Sequence, residues 1–427
     1  MFVPGLVRRL LEIPCFEGCE LRLMDIDAKR VRVMEALAGG LAAAGGRRLG
    51  VWSTSDRKEA ITGADFVIAT VSVGGMQAWS QDIEVPAKYG VFMHIADSIG
   101  PGGIFRALRN APVVAEVASE AAQLAPRAFV LNYTNPASVN AMVMAGTNKR
   151  ALSLCSCSPL PFNRSWLAEL IGVDRDEIVI PLRVGGINHC TGIFSLNLRD
   201  GTNAIPLVRA RSPLEVVRWA IDTFGAVPYC WEHWTEFFPQ LQRLEEPYQG
   251  RAQGLRMRYG RAIYDMETQQ TRVSAWEDIA SEWAANTGTH GLDELPHGPE
   301  DEGILVTEVM ESIVEDKPRH FIVNVPNDGL IPNLPPEAAV EVPAVVNGEG
   351  VHPIPIGRLP DALAGVLGQH AMVQALTARA ALSGDRIILR QAMTTDPLLA
   401  ATLDPQELES LTEELLEINK DYLPSFY

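Results

Sequence analysis

The sequence predicts an α/β protein: a doubly wound, mostly parallel sheet over residues 1–157, followed by an α+β unit over 158–427. Three observations carry this. Strand-like apolar runs alternate with helix-like stretches through the first 157 residues, joined by short loops. Two apolar runs, Ala128–Leu131 and Ala151–Leu154, feed polar segments, as buried parallel strands do at the ligand-binding edge of an open sheet. Beyond Ser158 that alternation stops, and helices mix with antiparallel-looking strands. At 427 residues the chain is also long for one core, so two domains are expected.

In order along the chain, Val7–Ile13 reads as an amphipathic helix and Glu20–Asp27 (ELRLMDID) as a strand with an acidic end. A dinucleotide-binding fold places an acid there to hold ribose hydroxyls. Asp25 and Asp27 are therefore candidate cofactor ligands, although a solvated turn also accounts for them. The first strand and Gly-rich phosphate turn of such a fold belong before the first helix, where only Met1 and Phe2 stand. The chain thus reads as a Rossmann-like domain without its first strand, clipped or with a misplaced start.

Ala28–Ala44 is an Ala-rich helix ended by Gly45-Gly46, and Ala64–Val71 is the next buried strand. Its turn, Ser72 to Gly75, permits close backbone approach to a cofactor at Ser72 and Gly74, or is simply tight. Tyr89–Asn110 reads as a shaped loop, because Gly100-Pro101-Gly102-Gly103 does not suit an element interior. It carries Asp97, Arg106 and Arg109. A helix, Ala111–Leu124, leads to the strand ending in Asn132.

In the second half, Leu167–Ile171 reads as helical, Glu177–Gly186 as a strand and Ile193–Leu198 as an antiparallel strand. Pro213–Glu311 is mostly helical by pattern. Phe321–Val325 is a strand, Pro332–Pro360 is extended, and two helices, Pro360–Ala381 and Pro405–Asn419, finish the chain.

The formal net charge of −17, with no compensating basic block, argues against a nucleic-acid partner. No secretory or membrane-length apolar run is present, and six scattered cysteines form no disulfide framework. A cytoplasmic protein is expected.

Two pairs carry the chemistry. Cys155 and His189, 34 residues apart at the ends of predicted strands, could meet and hold a divalent metal in an open site. A buried core thiol and a hydrogen-bonded turn histidine explain them as well. Cys155 and Cys157 make only C-x-C, so a zinc knuckle is not expected. His233 and Glu236 stand three apart on a likely helix and share a face, which suits proton transfer with the carboxylate orienting the imidazole. A surface hydrogen bond is the alternative. His94, His290, His297, His320, His352 and His370 have no ligand spacing.

LMDID (23–27), GPGGIFRALR (100–109), NYTNP (132–136), GGINH (185–189), NVPNDGLIPNLP (324–335), VEVPAVV (340–346) and HPIPIGRLP (352–360) together resemble glycoside hydrolase family 4 along the whole chain. The resemblance implies NAD- and Mn-dependent glycosidases with a Rossmann-like first domain and a second domain of the lactate/malate dehydrogenase-like superfamily. It also implies homodimers or homotetramers. In that family NAD oxidises the sugar at C3, a base takes the C2 proton, the C1 oxygen leaves by elimination, and the steps then reverse with water added. By resemblance Cys155 and His189 hold Mn2+ or another divalent metal. Arg109, Asn135 and Asn188 contact substrate; His233, Glu236 and Asp97 are the catalytic set; Asp25, Asp27, Ser72, Gly74 and Asn132 face NAD.

Besides its start, the chain departs from the family at two points. Ser156 follows the metal cysteine where His, Asp or Asn is usual, and Phe237 stands where a tyrosine base is common. The reading is a glycosidase acting on α-linked, unphosphorylated sugars or uronic acids. The alternatives are a diverged, non-catalytic relative and a plain NAD-dependent oxidoreductase.

Overall fold

The structure, a computed structural model, describes residues 2–157, 164–180, 183–285 and 303–426. His290 and His297 lie outside these residues. The first half runs α1 (Phe2–Glu12), β1 (Glu20–Met24), α2 (Ala28–Ala44), β2 (Gly50–Thr54), α3 (Arg57–Ile61), β3 (Phe66–Ala69), α4 (Gly75–Lys88), α5 (Gly100–Leu124), β4 (Phe129–Asn132), α6 (Ala137–Ala145) and β5 (Ala151–Ser153). The α/β alternation holds, but the parallel strands come in two pieces. β1 and β2 pair only with each other, while β3, β4 and β5 open a separate sheet.

That sheet continues into the second half. After α7 (Ser165–Ile171) come β6 (Val184–Ile187), β7 (Cys190–Ile193), α8 (Ile205–Arg211), α9 (Glu215–Phe224), β8 (Val227–Pro228), α10 (Trp231–Trp234), α11 (Met266–Ala285) and α12 (Ile304–Val314). Then follow β9 (Arg319–Pro326), β10 (Ala339–Asn347), β11 (Gly350–Pro353), α13 (Asp361–Ser383), α14 (Arg386–Thr395), α15 (Pro397–Thr402) and α16 (Pro405–Asn419). The order is β3-β4-β5-β9-β10-β6-β7-β8, with β11 paired to β10. The strands of the second half are antiparallel, and Ser153↔Asn324 is the register at which β5 meets β9. Leu131, Leu152, Val323, Val342 and Ile187 lie in one buried cluster that runs through the sheet.

The Gly-Pro-Gly-Gly stretch is not loop, as its composition suggests, but the first turn of α5. Pro101 sits where a helix has no N–H to satisfy, so it costs nothing there. The glycines let the helix press on the preceding chain: a Cβ on Gly103 would lie 2.4 Å from the Ser98 carbonyl carbon. The mostly helical reading of 213–311 holds in α9 to α12 and gives way in one stretch. Between Leu241 and Met266 the chain forms bridges, Leu244↔Met257 and Arg256↔Ala262, rather than helix. The two final helices are right, with α14 and α15 between them, each capped by an aspartate (Asp385, Asp396) accepting two N–H bonds.

Candidate active site

Five segments converge at one end of the large sheet. The loop before α5 brings Asp97 and Ser98, and the turn after β4 brings Asn135. The chain leaving β5 brings Cys155, the β6–β7 turn brings Asn188 and His189, and α10 with the residues just after it brings His233 and Glu236.

The loop is pinned through Glu236. This carboxylate, 1% exposed, accepts at Oε1 from the Ile95 and Ala96 N–H groups (2.7 and 3.1 Å). Its Oε2 stands 3.6 Å from His233 Nδ1, the pairing expected of residues three apart on a helix. Asp97 follows directly. Its Oδ2 accepts from Asn135 Nδ2 (2.7 Å) and its Oδ1 from Ser98 Oγ (2.7 Å). Ser98 Oγ also lies 2.8 Å from His189 Nδ1. Asp97 Oδ1 is 3.7 Å from His189 Nδ1 and 3.9 Å from His233 Nδ1. The two imidazoles stack at 3.7 Å between centroids, 24° apart in plane.

His189 takes its place at a conformational cost. It occupies a two-residue turn between the paired Ile187 and Cys190, with φ of 69°, a left-handed conformation uncommon outside glycine. Gly186 next to the turn has no room for a side chain: its Cβ would meet the Cys190 carbonyl oxygen at 2.2 Å.

Charge is unevenly distributed. Burial pushes the Asp97 carboxyl up, but the His233 and His189 imidazoles and the Arg106 guanidinium bring it down to about 2. Burial pushes His233 down, and the Glu236 carboxylate 3.6 Å away together with the charge of Asp97 more than reverses this. Burial likewise raises Glu236, and the adjacent His233 imidazole draws it below the ordinary carboxylate range. The site thus favours an anionic Asp97 beside a proton-holding His233.

Cys155 is buried close to His189 and Cys157. The neighbouring Cys157 thiol, then burial, drives its pKa well above the ordinary thiol value. Cys157 in turn touches Cys230, 2.8 Å away sulfur to sulfur. Among the described residues, the group of three donors close enough to share one ion is Asp97, His189 and His233, with ligand atoms within 4.8 Å of one another. Cys155 adjoins that group without being part of it.

Other expected residues are engaged elsewhere. Arg109, read as substrate-orienting, is 2% exposed and donates to Asp82 (2.9 and 2.5 Å), Asn419 (2.8 Å) and the Val73 carbonyl (3.3 Å). Arg106, one helical turn earlier, is the arginine whose charge Asp97 feels; it lies over the Trp79 ring at 5.0 Å. Asn132, read as a cofactor contact, is fully buried and clamps its own turn, donating to Ser153 Oγ and the Thr134 carbonyl and accepting from the Thr134 N–H. Asp27 caps α2 by accepting from the Lys29 and Arg30 N–H groups, and Asp25 accepts from the Asp27 N–H. Ser72 and Gly74 form the turn after β3, with Gly74 at φ 78° as the N-cap of α4. Ser156 is exposed, and Phe237 is fully buried, edge-on to His370.

Sequence reasoning gives no role to Ser98, Arg106, Tyr229 or Glu341. Arg106 was visible beside Arg109, since both lie in the GPGGIFRALR stretch, but spacing alone does not say which arginine faces the site. Glu341 lies inside an apolar strand sequence, VEVPAVV, and only the register of β10 shows where it points.

The family model described as family 4 glycosyl hydrolase matches residues 1–160, and the model of that family's C-terminal domain matches 184–399. The chain is 29% identical to an alpha-galactosidase of Bacillus subtilis, covering 100% of this chain and 97% of that protein. It is 28% identical to an alpha-galacturonidase of the same species, covering 92% and 90%. A solved 6-phospho-alpha-glucosidase from gut microorganisms, in complex with NAD and Mn2+, has the same fold, with a TM-score of 0.83 at 21% identity over 99% and 97% of the two chains.

Proposed function

Since the chain belongs to family 4 of the glycosyl hydrolases, we propose that it cleaves an α-linked, unphosphorylated glycoside or uronide with NAD and a divalent metal. The observation carrying this is the packing of Asp97, His189 and His233 around one point, with Cys155 against His189. Nitrogen, oxygen and sulfur donors of this kind suit a first-row divalent ion in an open site. Cys155 and His189 would hold it, with Asp97 in reach as a further oxygen donor. Asp25 and the Ser72–Gly75 turn, at the C-terminal ends of β1 and β3, would face NAD. When bound, the nicotinamide supplies reversible oxidation of a sugar carbon and the metal supplies Lewis acidity toward the sugar oxygens.

The remaining work falls to the chain's own side chains. His233 is the proton carrier: Glu236 and Asp97 hold its Nδ1 side, leaving Nε2 for the substrate. Asp97, ionised, serves as acceptor and charge partner rather than as an acid. Neither exposed Ser156 nor buried Phe237 offers a group for proton transfer. Asn135, bonded to Asp97, and Asn188, bonded to Glu341, would be the amides that contact sugar hydroxyls.

The test is turnover of aryl α-galactoside and α-galacturonide with NAD+, Mn2+ and reductant present. The expected result is sugar release that needs both cofactors, exchanges the C2 hydrogen with D2O and accumulates no NADH. Net NADH would point instead to an oxidoreductase. Absence of both turnover and NAD binding would mean a fold without this chemistry.

A further inference from the structure

Among the described residues Glu341 is a buried carboxylate without a cationic partner, and its surroundings give it a purpose. It sits on β10 in a row that crosses the sheet at one level: Asn132 on β4, Ser153 on β5, Asn324 on β9, Glu341, and Gly186 on β6. Cys155 lies two residues beyond Ser153, and Asn188 and His189 follow β6 directly, so this row underlies the proposed metal pair. Glu341 is 1% exposed and takes three neutral donors. Oε1 accepts from Asn188 Nδ2 (3.1 Å) and Asn324 Nδ2 (3.0 Å), and Oε2 accepts from the Tyr229 hydroxyl (2.5 Å).

A carboxylate oxygen accepts both of these bonds, so each amide turns its NH2 inward. For Asn188 this ties the first residue of the β6–β7 turn to the centre of the sheet. The second residue of that turn is His189, held at φ 69°. A non-glycine residue persists in that region only where its surroundings over-determine it. Ser98 holds the imidazole end at 2.8 Å, and Glu341, through Asn188, holds the backbone end.

We propose that Glu341 is a positioning residue: by clamping Asn188 it keeps the strained His189 turn in the one conformation that presents the imidazole to Asp97 and His233. The inference rests on the metal reading given above. It goes beyond that reading by assigning a role to a carboxylate that touches neither metal nor sugar.

The experiment measures Mn2+ affinity of the whole protein by titration calorimetry, alongside the urea midpoint of each variant. Groups that orient metal ligands typically contribute about 10- to 100-fold in affinity. Glu341→Leu and Asn188→Ala should each weaken Mn2+ binding by about that factor. The double variant should bind no more weakly than Asn188→Ala alone, because both remove one clamp. Glu341→Gln should rescue: its amide oxygen can take both asparagines, and its NH2 can donate to the Tyr229 oxygen. A general loss of structure would not be repaired in this way. Asn188→Ala deletes only a short side chain, so it serves even if Glu341→Leu fails to fold. Wild-type affinity in folded Asn188→Ala, or additive losses in the double variant, would overturn the proposal while leaving the metal reading intact. A wild-type protein that binds no Mn2+ would overturn both.

Discussion

Arg109 separates two accounts of the same residue. Its motif implies a cation that orients substrate, whereas the structure makes it a strut between α5, α4 and the end of α16. The perturbation is Asp82→Ala. Asp82 and Arg109 side chains are 0% and 1% exposed, and they form two parallel bonds of 2.9 and 2.5 Å. Removing the carboxylate leaves a guanidinium buried with Asn419 and the Val73 carbonyl as its remaining hydrogen-bond partners among the described residues. Breaking one side of such a pair costs about 3–5 kcal/mol, most of it the uncompensated charge. With a urea slope of about 3 kcal/mol/M, the midpoint should fall by about 1–1.7 M. Replacing both partners, Asp82→Leu with Arg109→Met, should recover most of that loss, because an apolar pair of similar volume needs no desolvation. The assay is urea denaturation followed by tryptophan fluorescence, with KM for the glycoside measured on the folded protein at low denaturant. An unmoved midpoint together with a raised KM in Asp82→Ala would refute the strut and restore Arg109 to the substrate.

Three further outcomes are expected. His233→Ala should lower kcat by about 10²–10⁴ with little change in the denaturation midpoint, the range typical of a lost general acid or base; a smaller drop would move proton transfer elsewhere. Gly103→Ala should lower both kcat and thermal midpoint, since the new methyl must displace the Ser98 backbone that it would meet at 2.4 Å, and with it Asp97; wild-type kinetics would show that the loop can yield freely. Asp396, fully buried at the start of α15, accepts from the Leu398, Leu399 and Gly100 N–H groups, yet burial raises it to about 6 from 3.8. The folded form therefore holds this proton more tightly than the unfolded chain. Its stabilising contribution is complete below about pH 4 and is lost as pH rises through about 6. At about 1.4 kcal/mol per tenfold in proton affinity, the contribution is about 3 kcal/mol. The stability difference between wild type and Asp396→Asn, measured by urea midpoints at pH 4 and 7.5, should shrink by that amount as pH rises. A difference independent of pH would contradict it.

How much of this was legible beforehand depended on whether a residue's role is local. The helix at Ala28–Ala44 and the strand into Asn132 follow from periodicity and caps, which are properties of neighbours in sequence. The His233/Glu236 pair was readable for the same reason, because three residues of helix fix which side chains share a face. Gly100–Gly103 misled because glycine and proline usually break structure. Here proline occupies the one turn of a helix that tolerates it, and the glycines serve close packing against Ala96 and Ser98 rather than a loop. Cys155 and His189 were legible as a pair at strand ends, but Asp97 joins the two histidines only because Glu236 pins the Ile95 and Ala96 backbone from another segment.

The least legible part is the polar row across the sheet, and it is physically the most constrained. Ser153, Asn324 and Glu341 are separated by 171 and 17 residues in sequence, yet the register of β5, β9 and β10 sets them side by side. Read alone, each is an isolated polar residue in an apolar strand, which would ordinarily count against that strand. Together they satisfy one another: Ser153 with Asn132, Glu341 with Asn324, Asn188 and Tyr229. A buried polar network of this kind is costly unless its members are matched, so its register tolerates little drift. A one-residue slip of β10 would bury Glu341 on the wrong face, without partners, and would carry the support of the His189 turn away with it. The sheet core and the site therefore do not specify their geometry separately. The same register that pairs β9 with β10 sets the height at which Cys155 and His189 emerge.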